Sequence, residues 1–274
     1  MWSMEESIRF VGRHFVNLCW IDETPDTSFG NAHDGHGTPF AASGFIISID
    51  GHWLFVTAGH ILKQIKEAKQ RGQKLTNFMF DDTWGQNPEH PCMPFDFAGA
   101  LKHFVDDDAK GLDYGVILLR ANPRDLLTRN GVEPIDEMGW RIGVPDKFDQ
   151  YFLLGTPDQL LRVDTTGGLH FSRSLIMFPV ERIDEPPGLS STKHARIFCQ
   201  IALSLRARGD GTLLHDIAGM SGCPLIGIKR CDDGCRRYWI IGVQSSWLPE
   251  RRIACVCPLK RLAEWIEAGM KANA

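Results

Sequence analysis

Short apolar runs broken by turn residues dominate the chain, and helical spacing occurs in only three places. Residues 10–20 (FVGRHFVNLCW) predict a strand of mixed alternation, followed by a polar, turn-rich surface loop at 21–39. Two apolar runs come next, Gly44 to Ile49 and Trp53 to Ala58. Asp50-Gly51 joins them, and Asp-Gly between apolar runs is a strong short-range hairpin signal. Residues 61–71 carry Ile61, Ile65 and Ala68 at helical spacing, with Gly72 as the stop. A proline-marked loop spans 81–95, strands are predicted at 97–105 and 114–120, and a short helix at 123–129. Residues 132–149 read as a connector. From Tyr151 the strand pattern resumes at YFLLG, 169–181, 196–205, 223–229, 238–246 and 252–257. The last segment, PLKRLAEWIEAGMK, opens on Pro258 and has Leu259, Leu262, Ala263 and Ile266 on one helical side. The order is strands, connector, strands, helix. It predicts an all-β fold of two tandem units, 1–135 and 136–258, with a C-terminal helix at 259–274. Closing each sheet into a barrel would remove its exposed edges.

Composition agrees with this picture. The 274 residues include 27 Gly and 15 Pro, with 43% apolar and 23% charged residues, the balance of an ordinary globular chain. The net charge of −4 gives no sign of a nucleic-acid partner. No apolar run reaches the ~18–20 residues of a membrane helix. The first twenty residues lack the basic start and unbroken apolar stretch of a secretory signal, so the expected compartment is the cytoplasm, with thiols reduced. Of eight cysteines, Cys231, Cys235, Cys255 and Cys257 cluster as C-x3-C and C-x-C. A four-thiolate zinc site is one reading, a surface bridge between Cys231 and Cys235 another. Reduced structural thiols are the expectation, because the usual C-x2-C knuckle is absent. Neither metal nor cofactor is expected.

Three stretches carry chemistry. VTAGH delivers His60 from a strand end to the start of a helix; LDYGVILL opens an apolar strand with Asp113; AGMSGCPL sets Ser221 in a tight loop between Gly219 and Gly222. A carboxylate at the mouth of a buried strand is costly unless paired. Glycines around a serine let backbone N–H groups converge on one point, as an oxyanion requires. A serine hydroxyl needs a histidine to take its proton, and the histidine needs a carboxylate to fix its tautomer. Each motif alone is commonly structural: a core histidine, a strand-opening cap, a turn. Their conjunction points to nucleophilic acyl transfer.

The chain resembles the chymotrypsin/trypsin-like serine proteases, of the non-digestive bacterial or housekeeping type, from about Thr38 to the terminal helix. ASGFII at 42–47, TAGH at 57–60, Asp113-Tyr114-Gly115-Val116-Ile117, FLLGTP at 152–157, Gly219-Met220-Ser221-Gly222-Cys223-Pro224-Leu225, IIGVQSS at 240–246 and the helix after Pro258 carry the resemblance. It implies two six-stranded antiparallel barrels with the cleft between them. It implies Ser221 as nucleophile, His60 as general base, Asp113 as its orienter, and the N–H groups of Gly219 and Ser221 as oxyanion hole. His215, Ser245, Ser246 and Trp247 are the implied substrate contacts. The implied partner is a peptide or protein substrate, with a regulatory protein to restrain activity, and neither nucleic acid nor membrane. Two departures stand out. Cys223 replaces the second glycine after the serine, and Met220 replaces the acid that digestive members pair with a newly cut N-terminus.

Rival readings fare less well. An α/β-hydrolase places its histidine after the serine, and here every histidine precedes Ser221. HGT at 36–38 is similar to a subtilisin histidine motif, yet Cys223 to Lys229 predicts a strand where that fold has a helix. His33-Asp34-Gly35-His36 lacks further ligands at metal-site spacing. A catalytically silent domain of the same fold, used for binding or as a scaffold, is the alternative from a different class.

Overall fold

The computed structural model describes residues 4–24, 37–82, 92–164, 170–173, 175–189, 192–202, 205–206, 213–214 and 216–272. The N-terminal unit contains α1 (Met4–Gly12), β1 (Phe15–Asp22), β2 (Thr38–Ile49), β3 (His52–Thr57), α2 (Gly59–Gln70), β4 (Leu75–Asp81), β5 (Cys92–Pro94), β6 (Lys102–Asp107), β7 (Leu112–Leu119) and α3 (Ala121–Arg129). The C-terminal unit contains β8 (Gln150–Gly155), β9 (Leu161–Asp164), β10 (His170–Arg173), β11 (Ile176–Ile183), β12 (Ile197–Ile201), β13 (Leu205–Arg206), β14 (Leu213–Leu214), β15 (Pro224–Arg230), β16 (Arg236–Leu248), β17 (Ile253–Pro258) and α4 (Leu259–Ala272).

The all-β plan of two units with a terminal helix is the one the sequence predicts. β11-β12-β17-β16-β15-β8 close into a six-stranded antiparallel barrel. The N-terminal sheet is larger than expected, seven strands in the order β5-β4-β1-β2-β3-β7-β6, and its ladder does not close among the described residues. Asp50 (φ 48°) and Gly51 (φ 75°) form the predicted two-residue hairpin turn between β2 and β3.

Several boundaries differ from the sequence reading. Residues 10–12 end α1, and the strand begins only at Phe15. β4 was not anticipated, because the polar Thr76 and Asn77 interrupt its alternation and Asn77 takes a positive φ of 51°. The single strand expected at 169–181 is β10 and β11. In α2 the buried side is Leu62, Ile65 and Ala68, with Ile61 only half-buried.

One apolar cluster runs through both units. It joins Phe45, Ile47 and Tyr114 of the sheet to Leu153, Met220, Leu225 and Val243 of the barrel, and extends to Leu259 and Leu262 of α4. Val16, Leu18, Ile46, Phe55, Leu62 and Ile117 form a second cluster between the sheet and α2. Polar ties cross the boundary too. Tyr114 Oη donates to Pro258 O at 2.7 Å, and His14 Nε2 lies 2.6 Å from Tyr238 Oη. The two units therefore share one core.

The clustered cysteines do not assemble. Cys231 and Cys235 sit at the tip of the β15–β16 hairpin, beside the Arg230↔Arg236 pair, with Cys231 N–H donating to Cys235 O. Cys255 and Cys257 lie on β17 against the opposite end of β16. None of the eight cysteines is in a disulfide. The His33–His36 motif and His215 lie outside the described residues. No helix among the described residues is long and apolar enough to cross a membrane.

Candidate active site

β3 ends at Thr57, and α2 begins two residues later without a side-chain cap. Gly59 permits this abrupt change of direction. A Cβ there would overlap Val105 O and meet Tyr114 O at 2.8 Å. The tight approach places His60, in the first turn of α2, beside Asp113 at the start of β7.

Asp113 grips the histidine with both oxygens. Oδ1 accepts the His60 backbone N–H at 2.8 Å, and Oδ2 lies 2.8 Å from His60 Nδ1. Asp113 is buried, at 4% exposure, and these two bonds offset the cost of removing its charge from water. The grip puts the proton of neutral His60 on Nδ1 and leaves Nε2 as an acceptor. Burial alone would lower the His60 pKa. The hydrogen bond to Asp113 and the charges of Asp113, Asp106 and Asp108 outweigh it, so the net shift is upward from 6.5.

Ser221, half-buried, stands in a loop that its backbone closes on itself. Met220 N–H donates to Ile217 O at 3.1 Å, and Cys223 N–H to Met220 O at 2.9 Å. Gly222 N–H donates to Gln244 O and Gln244 N–H to Cys223 O, both at 2.8 Å, which pins the loop to β16. Gly219 (φ 84°) and Gly222 (φ 94°) occupy backbone conformations that side chains rarely adopt. The N–H groups of Gly219 and Ser221 donate to nothing among the described residues, so two donors of this loop are uncommitted.

Gly222 also docks the loop on the N-terminal sheet. Its Cα faces Ser43 O and Thr57 Oγ1 so closely that a Cβ would overlap both, and would reach Ala58 N at 3.0 Å. Ala58 is two residues from His60. The contact thus places the Ser221 loop against the β3–α2 junction that leads into His60. Among the described residues there is no hydrogen bond between Ser221 Oγ and His60.

The two departures at the Ser221 loop have plain structural roles. Cys223 is fully buried, its Cβ lies against Gly155, and burial pushes its thiol pKa up. The side chain belongs to the core, and both flanking glycine conformations survive beside it. Met220 is likewise fully buried, with its thioether against Gly155. Apolar packing holds the loop where an acid would need a charged partner.

The expected substrate contacts divide. Ser245 is the extra residue at a bulge where the β16–β17 register shifts between Gln244 and Ser246. The bulge buries it to 4%, and its hydroxyl donates to Cys255 O at 3.3 Å, so this hydroxyl is not open to a substrate. Ser246 and Trp247 are half-buried. Trp247, Leu214, Asp216, Ile217 and Arg252 line a cavity of about 10 Å³, room for a single water. Sequence reasoning missed Ser43 and Asp158, which lie against Gly219, and Thr156 and Asn17 behind Ser43. Their only signal is positional: Asn17 and Ser43 are cross-strand partners in β1 and β2.

No protein-family model matches the chain, and no curated protein matches it. Among solved structures it is similar to AL20, a thermostable serine protease from an extremophilic microorganism, at 14% identity over 90% of this chain and 92% of that one, TM-score 0.47. It is similar to the protease Anisep from Arthrobacter nicotinovorans at 13% identity over 90% of each chain, TM-score 0.46. It is similar to Deg5 at 16% identity over 95% of this chain and 93% of that one, TM-score 0.42.

Proposed function

We propose that the chain is a serine endopeptidase that cleaves peptide bonds through an acyl-enzyme. The observation that carries this reading is the double hold of Asp113 on His60, next to a serine loop with two uncommitted N–H groups. With Nδ1–H fixed on Asp113, His60 Nε2 takes the Ser221 proton as Oγ attacks the substrate carbonyl. The oxyanion forms on the N–H groups of Gly219 and Ser221. His60 then protonates the leaving amine, and water releases the acyl group by the same route in reverse. Asp113 stays ionised throughout and stabilises the imidazolium.

The test is covalent labelling by a fluorophosphonate probe, together with cleavage profiling on a peptide library. Labelling of the native chain that disappears in Ser221→Ala, with turnover reduced ~10⁴-fold or more, supports the enzyme. A native chain that neither labels nor cleaves across pH 6–9 points to the silent scaffold instead.

A further inference from the structure

Three successive carbonyls of the nucleophile loop are each held by one donor. Ala218 O accepts from Asp158 N–H at 2.8 Å, Gly219 O from Ser43 Oγ at 3.2 Å, and Met220 O from Cys223 N–H at 2.9 Å. In a trans peptide the N–H points away from the C=O of the same unit. Holding Ala218 O therefore aims Gly219 N–H, and holding Met220 O aims Ser221 N–H. The unit between them joins Gly219 to Met220. Gly219 has no Cβ to limit its rotation, so beside the Met220 N–H bond to Ile217 O at 3.1 Å the restraint on Gly219 O sets the orientation of that unit.

The restraint differs from its neighbours in kind and in origin. The other two are backbone donors of the C-terminal unit, whereas Ser43 is a side chain from β2. Ser43 is fully buried, and a hydroxyl has one proton to give, here committed to Gly219 O. Thr156 Oγ1 backs it at 3.4 Å and donates to Asn17 Oδ1 at 2.9 Å, and both residues are 1% exposed. The Ser43 carbonyl meanwhile accepts from Thr57 Oγ1 at 2.8 Å, three residues before His60. One residue thus ties the strand end that leads to the base and the loop that presents the oxyanion donors. On the far side of Gly219 lies the Asp158 carboxylate, which a Cβ on Gly219 would overlap. The Gly219 N–H belongs to the adjoining Ala218–Gly219 unit, and loosening at Gly219 lets it turn toward that acceptor and be lost to the substrate.

We propose that Ser43 is a positioning residue: its hydroxyl sets the Gly219 peptide, and with it the oxyanion donors, in register with His60 across the two units. The proposal rests on the serine-protease reading for its catalytic consequence, though not for its structural one. Ser43→Ala leaves Gly219 O without its partner and touches neither His60, Asp113 nor Ser221. Turnover of a peptide substrate is expected to fall ~10–100-fold in kcat, the scale of a slight misplacement at a reacting centre, with KM changed less than about threefold. The acid limb of the pH profile stays in place, because the surroundings of the base are intact.

Hydrogen exchange supplies a readout independent of activity. The Met220 and Cys223 amides are expected to exchange at least ~10-fold faster in Ser43→Ala, while amides of β15 and β17 remain at the wild-type rate. If Ser43→Ala does not fold, Thr156→Val removes the backing hydroxyl alone, and a smaller change in the same two readouts is expected. Wild-type exchange at Met220 and Cys223 in a folded Ser43→Ala or Thr156→Val overturns the proposal, as does unchanged kcat. Should the wild-type chain show neither labelling nor turnover, the protease reading fails, and the exchange comparison alone decides the role of Ser43.

Discussion

Gly222→Ala tests how the Ser221 loop is seated. Two separate costs fall on this one methyl group. At φ 94° an alanine is strained by about 1–3 kcal/mol. The Cβ would also overlap Ser43 O and Thr57 Oγ1, and these neighbours are backbone and a fully buried hydroxyl, neither of which can swing away. Overpacking of this kind costs about 1–3 kcal/mol. Relief by parting the two groups would break the 2.8 Å Thr57–Ser43 bond, worth roughly 1 kcal/mol more. The total, about 3–7 kcal/mol, is a large share of the ~5–15 kcal/mol that holds a typical native chain. At ~2–4 °C per kcal/mol for a chain of this size, calorimetry should show the melting temperature falling by at least ~6 °C. Gly51→Ala is the matched control. Its φ is 75°, and nothing lies within 4 Å of the added Cβ, so it carries strain without the clash. If Gly222→Ala loses no more melting temperature than Gly51→Ala, the loop is not seated against the N-terminal sheet as described, and the juxtaposition of Ser221 with His60 loses its support.

Other outcomes follow from the same structure. Because only neutral His60 can act as base, activity should rise through an apparent pKa above 6.5, and Asp108→Asn should move that limb to lower pH in a pH–rate profile. Asp113→Asn should cost ~10⁴-fold in kcat, the loss expected when the imidazole tautomer is no longer held. His14 is buried between Glu133 O and Tyr238 Oη, and burial lowers its pKa to about 4. Its contribution is complete above ~6.5 and is lost as pH falls toward ~4, about 3 kcal/mol in all; denaturant melts of His14→Gln should lack that part of the acid slope. Asp82 is pushed the other way, up to about 7, by burial and the neighbouring Asp81 charge, so Asp82→Asn should raise the melting temperature more at pH 8 than at pH 5. A thiol reagent added to the native chain should reach Cys92, Cys231 and Cys235 and spare the five buried cysteines, Cys223 among them, until denaturant is added.

What could be read from the sequence follows a physical division. The hairpin at Asp50-Gly51, the apolar strands and α4 are periodic or local, so spacing alone exposes them. The triad candidates stand in short motifs whose chemistry is stereotyped, and the structure brings His60 and Asp113 to 2.8 Å. Contacts across the unit boundary leave no such trace. Ser43 lies in an apolar run where a small polar residue reads as a gap in the pattern. Its pairing with Gly219 spans 176 residues, and its backing by Thr156 and Asn17 exists only once the sheet and barrel meet. β4 escaped for a related reason, since its polar positions are explained by pairing with β1 and not by alternation. Cys223 shows the converse case. Against the motif it is only a departure from the second glycine, whereas its burial against Gly155 makes it a core side chain. The loop needs left-handed backbone at 219 and 222, and it has both. Position 223 needs only a small side chain that can leave water. The critical question for activity therefore moves from the cysteine to the peptide between Gly219 and Met220, and to the hydroxyl that holds it.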